Sequence, residues 1–122
     1  MSILSSSSAY TEDTILASAA RTASGNSGVL SDTYGGANTL RIQLNVTAAS
    51  GTTPTLDVVV EDTLDGTNWN TIGTFAQKTA AAREVINVTS PFASRLRVRW
   101  TIAGTTPSFT FDVVAAAQAP AA

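Results

Sequence analysis

Neither cysteine nor histidine occurs anywhere in the 122 residues of this chain. Without cysteine there is no disulfide, no thiolate metal site and no thiol nucleophile, and the redox compartment leaves no mark on the sequence. Without histidine the usual general base, the usual metal ligand and the side chain that titrates near neutrality are all missing. Charge is scarce as well. Asp, Glu, Lys and Arg make up 13% of the residues and sum to −2. Nucleic-acid binders need clustered positive charge, so this balance excludes DNA and RNA as partners. No run approaches the roughly 20 apolar residues of a membrane helix. Met1 to Ser5 has neither a basic region nor a long apolar stretch, so no secretory leader is expected there. The chain is expected to stay where it is made or to leave as part of an assembly.

What is present is a hydrophobic fraction of 43%, enough for a core in a chain of single-domain size. The polar remainder is mostly Thr, Ser, Asn and Gln. Such a surface is neutral and rich in hydroxyls, and contacts made on it desolvate little charge.

The apolar residues recur with a period of two. Leu40, Ile42, Leu44 and Val46 alternate with Arg41, Gln43 and Asn45, and Leu56, Val58 and Val60 alternate with Asp57, Val59 and Glu61. Leu96, Val98, Trp100 and Ile102 alternate with Arg97, Arg99 and Thr101. Successive strand side chains face opposite ways, so each run has an apolar face and a mostly polar one. The pattern predicts strands near 14–21, 38–48, 55–62, 69–77, 83–89, 95–103 and 108–114; in the first, helix and strand both fit. Ser5 to Ser8 read as part of a mobile arm, residues 1–12, and Ala115 to Ala122 as a flexible tail. The body between them, 13–114, is expected to be all-β: a β-sandwich, jelly-roll or Ig-like, of about seven mostly antiparallel strands.

One sequence feature repeats. Leu40-Arg41-Ile42 leads to Gly51-Thr52-Thr53-Pro54 and then Thr55-Leu56-Asp57-Val58. Leu96-Arg97-Val98 leads to Gly104-Thr105-Thr106-Pro107 and then Ser108-Phe109-Thr110-Phe111. Each reads as strand, turn, strand. A duplicated hairpin and two similar solutions to one turn problem both account for it.

Candidate chemistry is thin. Glu61, Asp62, Asp65 and Asn68 lack the alternate spacing of a calcium loop. They read as a hairpin turn in which Asp65 and Asn68 bond backbone amides. Glu61, Asp62 and Glu84 offer carboxylates for glycoside hydrolysis, but solvated strand ends account for them. No serine has a histidine partner, no Gly-x-Ser-x-Gly elbow exists, and no phosphate loop follows the glycines at 25, 28, 35 and 36. The chain is therefore expected not to be an enzyme, and no cofactor or metal is called for. Arg95, Arg97 and Arg99 share one strand face as a positive ladder, either a docking strip for an acidic partner or an outer face balanced by a neighbouring strand. Trp100 falls in register with the core. Trp69 reads as a core cap or a contact residue, and Tyr34 as the aromatic best placed for exposure; both also suit a carbohydrate-binding module.

The stretch Asp57-Val58-Val59-Val60-Glu61-Asp62-Thr63-Leu64-Asp65-Gly66-Thr67-Asn68-Trp69, with Arg95-Leu96-Arg97-Val98-Arg99-Trp100 and Gly104-Thr105-Thr106-Pro107-Ser108-Phe109, resembles small virion proteins of tailed bacteriophages and prophages. The resemblance is one of pattern over roughly half the chain. It implies a β-sandwich decoration (cement) protein on the outside of the capsid, made in the host cytoplasm, with the major capsid protein as partner and a homotrimer as the state. A neck or tail accessory protein is the alternative. On this reading Ile3 and Leu4 in the arm, with Arg95, Arg97 and Arg99, are the expected contacts.

Overall fold

A computed structural model describes residues 10–31, 39–89 and 91–118. The chain is all-β. Its strands are β1 (Tyr10–Arg21), β2 (Gly25–Asn26), β3 (Leu30–Ser31), β4 (Thr39–Thr63), β5 (Trp69–Thr74), β6 (Ala82–Thr89) and β7 (Arg95–Gln118). The segment for which helix and strand both fitted is strand: β1 lies antiparallel along β7 with two register shifts. Such bulges blunt an edge strand against unwanted pairing.

Strands β4 and β7 organise the molecule. They run antiparallel over their whole length, from Thr39 opposite Gln118 to Thr63 opposite Arg95. This corrects the expected hairpins. Neither Gly-Thr-Thr-Pro segment reverses the chain; each lies within one long strand, and the two pair with each other through Thr52 and Thr105. Positive φ at Gly51, Thr53, Gly104 and Thr106 and register shifts on both sides of Thr52 bend the ribbon there instead.

The bend folds one continuous sheet into a sandwich. Trp100 and Phe111 lie on the same strand, and eleven residues of extended chain would span roughly 35 Å. Their ring centroids are 5.7 Å apart, edge to face. The two halves of β7 therefore face each other across the core. One layer runs β6, first half of β4, second half of β7, β1; the other runs β5, second half of β4, first half of β7, with β2 and β3 beside it. Gly73 of β5 meets Ile86 and Val88 of β6 across the gap.

The apolar runs line this gap as their period requires. Leu40, Ile42, Leu44, Val46, Leu56, Val58, Val60, Leu96, Val98, Trp100, Phe109, Phe111 and Val113 are all buried. Arg21 closes one side. Its guanidinium lies 5.2 Å from the Trp100 centroid and 4.5 Å from that of Phe111, and donates to the carbonyls of Ala17, Ala19 and Phe111.

The body is longer than expected at both ends. Strand β1 begins at Tyr10, inside the expected arm. Ala115 to Gln118 continue β7 instead of starting a tail. Ala115 and Ala117 are buried opposite Ile42 and Leu40; beside such large side chains a methyl group fills the remaining space.

Candidate functional site

The polar face of the second layer gathers four of the side chains that matter. Glu61 of β4 pairs with Arg97 of β7 and with Thr71 of β5, and Trp69 lies two residues from Thr71 on the same strand face. Arg97 donates from Nε to Glu61 Oε1 at 2.8 Å, and Arg99 from Nε to Oε2 at 3.1 Å. One carboxylate, buried to 5% exposure, thus holds two guanidiniums. The Arg97 guanidinium also lies over the Trp69 ring, 4.2 Å from its centroid. Arg95 stands apart, donating to the carbonyl of Leu64 at 3.0 Å.

The ladder is therefore not three unneutralised charges. Glu61 on the adjacent strand answers two of them, which is the balanced-face alternative. The outer edge of the cluster stays open: Trp69 is half-buried and the Arg99 side chain is 42% exposed. Stacking, ion pairing and hydrogen bonding fix these long side chains before any partner arrives, which lowers the entropy cost of binding there.

The other carboxylates also have work inside the chain, in place of the solvated ends expected for them. Asp62 is buried and accepts from the Ala93 N–H. Glu84 accepts from the Ala76 N–H and pairs with the buried Lys78. Asp65 accepts from the backbone amides of Thr67 and Asn68, as the turn reading has it, but the Asn68 side chain donates to Asp65 Oδ2 and not to the backbone. The Asn68 amide first, then that of Thr67, and the Asn68 side chain hold the Asp65 carboxyl well below the usual carboxylate range. Among the described residues no group of three or more His, Cys, Asp or Glu side chains could hold a metal. Ile3, Leu4 and Tyr34 lie outside the described residues.

A groove of about 700 Å³ crosses the outer face of the other layer. Its lining comes from all four strands: Glu12 and Thr14 of β1, Arg41 and Gln43 of β4, Val85 of β6, and Val114 and Ala116 of β7 among them. The alternation at 40–46 marked Arg41 and Gln43 as outward-facing. Nothing local marks which strands flank them, so the groove was not legible.

No protein-family model matches the sequence, and no curated protein matches it. The fold is similar to solved structures. A xylan-binding domain, CBM22-1 of Xyn10C from Paenibacillus barcinonensis, superposes with a TM-score of 0.60 at 13% identity, covering 97% of this chain and 89% of that one. A Bacillus endospore appendage of a disulfide-linked pilus family gives 0.57 at 9%, covering 94% and 91%. A structure of infectious bursal disease virus gives 0.52 at 12%, covering 93% of this chain but 32% of that one. At such identities the likeness shows a shared β-sandwich, common to capsid, appendage and carbohydrate-binding proteins.

Proposed function

We propose that this chain is a non-enzymatic structural protein of a tailed-phage particle, which binds the outside of the capsid shell as a homotrimer and reinforces it. The observation that carries the reading is the Trp69–Arg97–Glu61–Arg99 cluster. Trp and Arg are the residue types that dominate protein–protein hot spots, and here they are pre-ordered at a surface. Bridging neighbouring capsid subunits stabilises the shell because expansion or rupture must first break those contacts. Ile3, Leu4, Tyr34 and Arg95 are proposed as further contact residues.

Quantitative mass spectrometry of purified particles tests this. A copy number comparable with that of the major capsid protein is the expected result. A much smaller number indicates a neck or tail protein, and absence from particles overturns the proposal. Within it, Trp69→Ala with Arg99→Ala lowers capsid occupancy.

A second reading, a carbohydrate-binding module, is supported by the fold shared with a xylan-binding domain over nearly the whole of both chains. Trp69 suits it poorly, because Arg97 covers one face of its ring.

A further inference from the structure

Two rows of side chains cross the outer face of the β6–β4–β7–β1 layer. In the first, Val85, Gln43, Val114 and Thr14 stand side by side; in the second, Asn87, Arg41, Ala116 and Glu12. All but Asn87 line the groove. With a volume of about 700 Å³ it is an open trough and not an enclosed cavity, which suits a ligand laid along the surface.

The chemistry of these rows narrows the occupant. Gln43, Asn87, Arg41 and Glu12 are planar hydrogen-bonding groups, offering donors and acceptors in forked pairs. Vicinal hydroxyls, each able to donate and accept, match that pattern. Arg41 is already ordered, donating from Nη1 to Asn87 Oδ1 at 3.2 Å. Val85, 37% exposed, and the half-buried Val114 give small apolar ledges for C–H faces. Glu12 and Asp13 beside Arg41 do not favour a phosphate. An extended peptide would find no backbone partners on the floor, because β4 and β7 are paired along both edges there. Its broken apolar area is also too small for a lipid chain or an amphipathic helix.

We infer that this groove binds a segment of a neutral, polyhydroxylated polymer: a glycan chain laid across the strands. The inference rests on the carbohydrate-binding reading but moves the site to the layer opposite Trp69. It is independent of the capsid reading, since the two surfaces lie on opposite faces of the sandwich and can be occupied together.

Affinity electrophoresis of the full chain through gels containing arabinoxylan, galactomannan or hydroxyethylcellulose tests it, with polygalacturonate as an anionic control. At least one neutral polymer slows the protein. Gln43→Ala and Arg41→Ala each weaken that retardation about tenfold, the scale of one or two lost hydrogen bonds, while thermal melts show both variants folded. Trp69→Ala leaves it unchanged. Retardation that survives both groove substitutions overturns the groove assignment and leaves the carbohydrate-binding reading standing. No retardation by any of the four polymers overturns both; retardation by polygalacturonate alone overturns the neutral-glycan inference and leaves the carbohydrate-binding reading standing.

Discussion

Gly51 and Gly104 occupy matching places on the two long strands, each pressed against the backbone of the other's Thr-Thr-Pro segment. A β-carbon on Gly51 would lie 2.8 Å from the Thr106 carbonyl oxygen; one on Gly104 would lie 2.9 Å from that of Thr53. Their φ angles are +112° and +122°, a region that strongly favours glycine. The same motif thus serves twice, as both halves of one bend.

Gly51→Ala and Gly104→Ala should each lower the unfolding free energy by about 2–4 kcal/mol, from left-handed strain plus the clash with the facing backbone. Gly28 is the control. Its φ is +80° with open space around it, so Gly28→Ala should cost only about 1–2 kcal/mol. Urea denaturation midpoints decide; equal losses at all three sites would refute the interlocked bend.

Glu61→Gln keeps the shape of the side chain but leaves two guanidiniums without their anion. The expected loss is about 2–3 kcal/mol, at or below the lower end of the ~3–5 kcal/mol for breaking a buried pair, because both arginines reach solvent. Arg97→Ala should cost more than Arg99→Ala, since Arg97 is less exposed and also covers Trp69. Chemical denaturation of the three variants gives the ranking, which a larger effect at Arg99 would contradict.

Acid should weaken the β4–β5 turn through Asp65. Its carboxyl pKa is lowered in the folded chain, so the stabilisation is fully present above the unfolded value of ~3.9 and is lost as pH falls toward the folded value. Asp65→Asn cannot titrate. Unfolding curves taken between neutral and strongly acidic pH should therefore fall less steeply on acidification for this variant than for the wild type.

Arg21→Ala removes the guanidinium that lies over both Trp100 and Phe111. We expect a loss of about 1–3 kcal/mol from the cation–π contacts and hydrogen bonds. In a Trp69→Phe background Trp100 is the lone tryptophan, and its emission should shift to the red as water reaches the ring. An unshifted spectrum would mean that other residues keep the core closed.

Much of the fold was legible because a half-buried strand writes its burial into a period of two. The core at 40–46, 56–60 and 96–100 and the placing of Phe109 and Phe111 followed from that alternation alone. The role of Gly-Thr-Thr-Pro did not, because glycine and proline mark a tight turn and a bulged bend with the same residues. The site was partly legible. The shared face of Arg95, Arg97 and Arg99 follows from strand geometry, but Glu61, the counter-ion of Arg97 and Arg99, is more than thirty residues away in sequence and meets them only through strand pairing.

The sequence by itself determined an all-β chain, the core residues of its alternating runs, its charge-poor surface and its lack of cysteine and histidine chemistry, since each of these is a matter of residue type or local period. Tertiary structure alone decided that two like motifs bend one ribbon, that a single buried carboxylate answers two arginines, and that four strands place Gln43, Arg41, Glu12 and Val85 around one groove. Those relations depend on which strands become neighbours and in what register. That choice is made by the joint burial of all the apolar faces, and no local stretch of sequence contains it.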